Sequence, residues 1–178
     1  MITLKEKYEK VLPEISATLG VKNRYALPRF FKVVINAGTG KLREKKQAAL
    51  IVDRLTKITG QKPSPRGAKK SIASFKVREG ETIGQMVTLR GKRMYGFLDK
   101  LINVAVPRMR DFRGFDDKSV DASGNLTIAI REHTIFPETA DEELKDVFGF
   151  AITIVTTAQN RDEALALFRA LGFPFKKV

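Results

Sequence analysis

Two segments of the chain alternate apolar and polar residues with the two-residue period of a β-strand. Segment 30–37 places Phe31, Val33, Ile35 and Ala37 on one side and Phe30, Lys32, Val34 and Asn36 on the other. Segment 83–91 places Ile83, Val87 and Leu89 on one side and Gly84, Met86, Thr88 and Arg90 on the other. Because consecutive strand side chains point to opposite faces, each strand has one face that packs in the core and an opposite, amphipathic face. We call the opposite face the second face. This pattern is typical of an antiparallel sheet that is covered on one side only.

Apolar residues at three- and four-residue steps predict helices at 2–19, 44–59, 92–106 and 161–171. Gly20 and Gly60 stand where helices end, and Pro13 is expected to kink or split the first helix. Further strands are predicted at 126–131 and 150–157, and a short acidic helix at 141–147. No repeat or long linker divides the chain. We therefore predict one α+β domain, 1–178, with a curved, mainly antiparallel sheet, helices on one face and the other face open.

Charge is distributed unevenly along the chain. The 33 Lys and Arg residues outnumber the 20 Asp and Glu residues, for a net charge of +13. Residues 22–118 alone carry 24 basic and 8 acidic residues, a net of +16, whereas residues 119–178 carry a net of −3. A charge block of this kind attracts polyanions, so nucleic acid is the favoured partner. The alternative is a solvated basic surface.

A Gly-Thr-Gly-Lys turn follows the first strand, at Gly38–Lys41. A nucleotide P-loop needs a Gly where this chain has Ile35 and a Ser or Thr where it has Leu42. A dinucleotide fingerprint needs a third Gly where Arg43 stands. The turn therefore favours the phosphate of a nucleic-acid backbone, approached by main-chain amides at Gly38 and Gly40. An ordinary strand-to-helix turn is the alternative.

Residues for other chemistry are scarce. There is no Cys, and the one histidine, His133, cannot form a multi-histidine metal site, so it is expected to be hydrogen-bonded or exposed. The acidic group at 141–146 lacks the spacing of a calcium loop. We expect no enzyme activity and no cofactor. The N-terminus has no signal-peptide h-region and no apolar run reaches membrane-spanning length, so a cytosolic protein without membrane partners is expected.

Polar side chains on the second faces of the two strands are candidates for RNA contact. If the strands are neighbours, Lys32, Asn36, Thr88 and Arg90 point from one open face toward phosphates, 2′-hydroxyls and base edges. A solvated sheet face is the alternative. The basic segment 61–82 predicts short strands flanking an exposed, mobile loop at 74–81. In segment 108–115, two interpretations of Phe112 and Phe115 are open: the rings stack on bases, or they belong to the core.

Six motifs in order identify a resemblance that covers essentially the whole chain. They are TGQKP (59–63), AKKSIASFKVREG (68–80), VTLRG (87–91), PRMRDFRG (107–114), IFPE (135–138) and ITIVTTA (152–158). The chain resembles the bacterial family of large-subunit ribosomal protein five, which binds 5S ribosomal RNA. The resemblance implies an α+β fold with RNA on the open sheet face, and a cytoplasmic role in the ribosome. Implied partners are 5S and 23S rRNA, the peptidyl-site tRNA, small-subunit ribosomal protein thirteen and neighbouring proteins of the central protuberance.

The resemblance also implies roles for particular positions. The implied 5S rRNA site consists of Lys32, Asn36, Gly38, Gln61, Arg66, Lys69, Thr88 and Arg90. The loop implied to reach the peptidyl-site tRNA consists of Ser74, Phe75, Lys76, Val77, Arg78, Glu79 and Gly80. Part of residues 108–146, a stretch of mixed and mainly acidic charge, is implied to face small-subunit protein thirteen across a subunit bridge.

Overall fold

The computed structural model of the chain describes residues 3–40, 45–139 and 147–176. Its helices are α1 (Leu4–Leu19), α2 (Lys45–Thr59), α3 (Gly91–Lys100) and α4 (Arg161–Ala170). Its strands are β1 (Phe30–Gly38), β2 (Ser64–Gly67), β3 (Thr82–Leu89), β4 (Leu126–Ile130) and β5 (Phe150–Thr156). The predicted helices and strands are thus confirmed to within a few residues, except the acidic helix at 141–147. Residues 141–146 of that helix lie outside the described residues.

The five strands form one open antiparallel sheet in the order β2-β3-β1-β5-β4. In β4 and β5 alternate residues are buried, with Ile128 and Ile152 in the core and Thr127 exposed. In β1 and β3 the predicted core residues Val33, Ile35, Val87 and Leu89 are all at most 1% exposed. The fold is therefore a mixed α+β domain with one covered sheet face, as the strand patterns predict.

The start of β1 departs from the predicted alternation. Phe31, which the pattern assigns to the core side, is 54% exposed, whereas Phe30 is buried. The Phe30 ring packs against the rings of Phe168 and Phe173, with centroids 5.8 and 6.0 Å apart. The prediction that Phe31 lies in the core is therefore wrong. Its neighbour Phe30 packs in an aromatic cluster instead, and the regular alternation begins only at Val33.

The contacts divide the chain into two compact units. The first consists of residues 1–33, 89–128 and 153–178, and the second of residues 34–88 and 129–152. Strands β1, β3, β4 and β5 each begin in one unit and end in the other.

In the first unit α1 packs against α3 and α4. Helix α1 begins with a capping box between Thr3 and Glu6 and ends at Gly20, whose φ of 66° is the left-handed conformation expected of a C-cap. Helix α1 runs unbroken through Pro13, which lies on its exposed side, so of the two effects expected of Pro13 splitting is wrong and a kink stays a prediction. Helix α3 continues through a π-helical turn at 101–105 and a 3-10 turn at 106–108, where the predicted helix end near Pro107 is confirmed.

In the second unit α2 supplies the buried residues Ile51, Leu55 and Ile58. His133 is also buried, and its ring stacks on Phe148 with centroids 4.4 Å apart. The Phe148 amide donates to His133 Nδ1 at 3.4 Å, which confirms a hydrogen-bonded histidine. Among the described residues there is no group of three His, Cys, Asp or Glu side chains placed to hold a metal ion.

Two glycines of the first unit share a backbone conformation but differ in their surroundings. Gly20 and Gly124 have φ angles of +66° and +76°. A Cβ on Gly20 would meet nothing within 4 Å, whereas a Cβ on Gly124 would lie 2.8 Å from Ala158 Cβ and 3.1 Å from the Asn160 carbonyl oxygen. Alanine at either position incurs left-handed strain, but only at Gly124 does it also incur a steric clash.

We therefore predict that Gly20→Ala lowers the free energy of unfolding by about 1 kcal/mol and Gly124→Ala by about 3 kcal/mol. Urea denaturation of the two variants beside the unmodified chain measures the difference directly. Equal losses in the two variants would contradict the packing described around Gly124.

Candidate nucleic-acid interface

Strands β2 and β1 place polar side chains on either side of a glycine of β3, on one face of the second unit. Strand β2 pairs antiparallel with β3, and Arg66 lies opposite Gly84 in this pairing. A Cβ built on Gly84 would lie 3.9 Å from Arg66 Cβ on β2 and 3.9 Å from Asn36 Oδ1 on β1. Since directly opposed residues project to the same face, Arg66 and Asn36 lie on either side of Gly84 on that face. We name Arg66, Gly84 and Asn36 the polar row.

Glycine at position 84 allows the two polar side chains to approach each other. A Cβ there would lie only 3.3 Å from the Ala37 carbonyl oxygen, in addition to its contacts with Arg66 and Asn36. Any side chain at this position would therefore occupy the space between Arg66 Cβ and the Asn36 side-chain oxygen. Its absence leaves both groups able to act on one ligand.

Gln61 and Thr88 lie near the end of α2 in the same unit. Helix α2 ends at Gly60, with φ of +67°, and the Gln61 amide then donates to Thr59 Oγ1 at 3.2 Å. The Gln61 side chain reaches β3, where Nε2 donates to the Thr88 carbonyl oxygen at 3.4 Å. Within the described chain the side chains of Asn36 and Thr88 have no hydrogen-bond partner. Their polar atoms are therefore available to a ligand.

The opposite face of the same strands belongs to the core. Gln85 lies opposite Pro65 in the β2–β3 pairing and is 6% exposed. Its Oε1 atom is buried and accepts no hydrogen bond from the described residues. A buried, unpaired amide oxygen destabilises the fold, because folding removes its water and supplies no replacement donor.

Segment 68–81 forms a hairpin that extends beyond β2 and β3, and we name this segment the basic hairpin. The Ala68 amide donates to the Glu81 carbonyl at 2.8 Å, and Ile72 and Val77 exchange amide hydrogen bonds of 3.0 and 3.3 Å. The paired region therefore reaches further into the predicted loop than the sequence indicates. The tip closes through a 3-10 turn at Ala73–Phe75, and Lys76 follows with φ of 53°.

The tip of the basic hairpin is exposed. Phe75 is 74% exposed and Ile72 is 47% exposed, which is unusual for apolar side chains. The charged residues of the hairpin are Lys69, Lys70, Lys76 and Arg78, against Glu79 and Glu81. The exposure predicted for this segment is confirmed.

An open cleft of about 1360 Å³ lies beside the basic hairpin. Its walls include Gly38 and Gly40 of the glycine-rich turn, Lys69 and Lys76 of the hairpin, and Ile83. The Thr39 amide between the two glycines donates to the Ile83 carbonyl at 2.8 Å. It is therefore engaged in the sheet and is not one of the amides open to a phosphate. Lys41 of the predicted phosphate turn lies outside the described residues.

The remaining predicted residues belong to the first unit. Lys32 is half-buried, with Nζ 5.9 Å from the ring centroid of its neighbour Phe31. Arg90 is exposed and precedes α3 as its N-cap. Phe115 is 7% exposed and packs edge-on against Phe112 at 5.0 Å, so the core interpretation holds for Phe115, whereas Phe112 is half-buried.

Gly84 and Met86 lie on the face predicted for them, but their part in the surface was not predicted from the sequence. Ser64 was missed as well, although it pairs opposite Met86 and is exposed. An isolated glycine inside a strand pattern was the signal for Gly84, because such a glycine commonly marks a close approach to the backbone.

A strongly basic α+β domain with an open polar sheet face belongs to the class of proteins that bind polyanions such as nucleic acid. None of the described helices is both long and apolar enough to cross a membrane. Two family models together match most of the chain. The model for ribosomal protein L5 matches residues 23–78, and the model for the C-terminus of the same ribosomal family matches residues 82–175.

Full-length relatives agree with these matches. Large ribosomal subunit protein uL5 of Halothermothrix orenii is 48% identical over 99% of this chain and 100% of its own length. The uL5 of Thermoanaerobacter sp. is 49% identical with the same coverage of both chains, and that of Desulforamulus reducens is 48% identical over 100% of this chain and 99% of its own. The chain belongs to the ribosomal protein L5 family. It is a structural, non-enzymatic constituent of the large subunit of the cytoplasmic ribosome, where it binds RNA in translation.

The unpaired Gln85 oxygen leads to a prediction about stability. Replacing Gln85 with Leu removes a desolvated acceptor and keeps a side chain of similar size, so we expect the free energy of unfolding to rise by about 1 kcal/mol. Urea denaturation measures the change, with Gln61→Leu as a control at a half-buried glutamine that does donate a hydrogen bond. Destabilisation by Gln85→Leu would show that Oε1 has a partner in solution.

Proposed function

We propose that the chain binds 5S rRNA through the open sheet face of its second unit and helps to attach that RNA in the central protuberance of the large subunit. The contacting residues are Asn36, Gly38, Gln61, Arg66, Lys69 and Thr88. Lys32 and Arg90 of the first unit are proposed as further contacts, because the family resemblance implies them and each carries a positive charge that can bind phosphate.

The polar row is the observation that carries this proposal. It combines a guanidinium for phosphate with an amide that both donates and accepts, and the glycine between them keeps the space above it free of a side chain. Thr88 adds a hydroxyl, and Gln61 adds a second amide beside it. This mixture suits RNA, in which 2′-hydroxyls and base edges are read together with phosphates. A site that bound RNA through its phosphate charge alone would need only Lys and Arg side chains.

The basic hairpin is proposed to contact the peptidyl-site tRNA through residues 74–80. Support comes from its exposed Phe75 and the charges of Lys76 and Arg78, which together offer a stacking surface and phosphate partners. The mobility expected of the loop at 74–81 remains a prediction. Because Ile72 pairs with Val77 across only the short tip 73–76, we expect motion to be confined to that tip.

Part of residues 108–146 is proposed to face small-subunit protein thirteen, and 23S rRNA and other central-protuberance proteins complete the proposed partners. Two carboxylates of this segment are held in their charged form. A hydrogen bond from the Lys118 amide lowers the pKa of Asp116. Desolvation raises the pKa of Asp121, but hydrogen bonds from the Asn125 amide and side chain outweigh it and lower that pKa overall. Charged carboxylates suit a basic partner.

We predict that Asn36→Ala and Thr88→Ala each weaken 5S RNA binding by about 1–3 kcal/mol, because each leaves an RNA group unpaired. A filter-binding or calorimetric titration with 5S RNA measures the loss, and circular dichroism checks the fold. The matched control is Thr127→Ala, an exposed strand threonine of the first unit whose hydroxyl lies 3.2 Å from that of Thr153. Unchanged affinity in both test variants, with the fold intact, would refute the sheet-face assignment.

The hairpin and bridge assignments can be tested together because the chain has no cysteine. Ser74→Cys at the exposed tip and Ser123→Cys in the exposed turn after Asp121 are near-isosteric single substitutions. In ribosomes carrying the variants, we expect a thiol-attached cross-linker to reach peptidyl-site tRNA from position 74 and small-subunit protein thirteen from position 123. Cross-links from each position to the other target would contradict both assignments.

A further inference from the structure

Tyr25 is the most exposed large hydrophobic side chain recorded in the structure, at 91%. It lies in the first unit, in the connection between α1 and β1, and it belongs to none of the sites described above. Covering an exposed aromatic ring with a partner is favourable because it removes apolar surface from water. The surroundings of the ring indicate the chemistry of that partner.

The ring projects from a backbone that is held in place by several contacts. Residues Arg24–Ala26 form a 3-10 turn whose N-cap is Asn23, and Asn23 Oδ1 accepts the Tyr25 amide hydrogen bond at 3.0 Å. Leu27 and Pro28, which follow, are buried. The Pro28 carbonyl accepts a hydrogen bond from the Tyr8 hydroxyl of α1 at 3.2 Å. A fixed backbone lowers the entropy lost when the ring engages a partner.

Positive charge predominates in the sequence on either side of this turn. Segment 15–43 contains six Lys and Arg residues and no Asp or Glu. Burial raises the pKa of the Tyr8 phenol, Tyr95 raises it further, and the charges of Arg29 and Arg24 oppose the rise. Both arginines therefore lie close enough to act on the same phenol. Neither pairs with a carboxylate in the described ranges 3–40, 45–139 and 147–176.

We propose that Tyr25 is a stacking platform for an unpaired RNA base, with Arg24 and Arg29 binding the adjoining phosphates. An exposed ring in a segment that also carries unpaired guanidinium groups is a combination that binds single-stranded RNA, since every base has a π face and every linkage a negative charge. A protein partner for this ring would need to supply carboxylates for the arginines. This second contact rests on membership of the ribosomal family and does not depend on the sheet-face assignment, because Tyr25 lies in the first unit and the polar row in the second.

Because the chain contains no tryptophan, Tyr25→Trp introduces a single indole, whose fluorescence is quenched when a base stacks on it. The probes are a short single-stranded oligoadenylate and an RNA duplex of equal length, whose bases are already stacked. We expect saturable quenching by the oligoadenylate and little by the duplex. A Tyr25→Trp, Asn36→Ala double variant is expected to keep the quenching while losing 5S RNA affinity, which separates this inference from the proposed function.

Affinity measurements with Tyr25→Phe and Tyr25→Leu complete the test. At 91% exposure neither substitution affects the core, so folding does not confound the comparison. Phe is expected to keep oligoadenylate affinity, and Leu to lower it about tenfold because the π face is lost. Equal affinities of the Phe and Leu variants, equal quenching by duplex and single strand, or quenching only by another ribosomal protein would each overturn the proposal.

Discussion

The burial of one face of every long strand is the constraint on which the rest of the structure depends. Ile35 on β1, Val87 on β3 and Ile152 on β5 are each at most 1% exposed. Each contributes roughly 2–3 kcal/mol of hydrophobic stabilisation on burial. A register slip of one residue would turn Asn36 and Thr88 into the core and these apolar residues into water. The same energy that stabilises the sheet therefore holds the polar side chains outward, ready for a ligand.

Glycines shape this surface because they have no side chain to keep neighbouring groups apart. At Gly84 no side chain separates Arg66 from Asn36, and at Gly67 and Gly80 two main chains approach so closely that a Cβ on Gly67 would lie 3.1 Å from the Gly80 carbonyl oxygen. The first position lets two polar groups act on one ligand, and the second lets the two sides of the basic hairpin meet. Both roles need residues that contribute nothing to hydrophobic stability.

The alternating patterns of β1 and β3 could be predicted from sequence because a half-buried strand imposes a local, two-residue period. The same period placed Asn36 and Thr88 on the second faces, and the family resemblance added Gln61, Arg66 and Lys69 as candidate contacts. What could not be predicted depends on non-local pairing. Nothing in the Gly-Thr-Gly turn indicates that the Thr39 amide bonds to Ile83, and nothing local shows that α1 accommodates Pro13 without breaking. The exposure of Tyr25 likewise follows from what packs around it, which a local pattern does not contain.

The central claim is that the sheet face recognises the structure of its RNA and not only its charge. A titration across a salt series tests this claim most directly. The chain is titrated with 5S RNA and, in parallel, with a tRNA of comparable charge density. Phosphate contacts weaken with salt for any RNA, whereas contacts to base edges and 2′-hydroxyls weaken far less. We predict that 5S binding persists at salt concentrations that abolish tRNA binding. Equal affinities that fall together as salt rises would contradict this recognition, and would reduce the basic segment to a general polyanion surface.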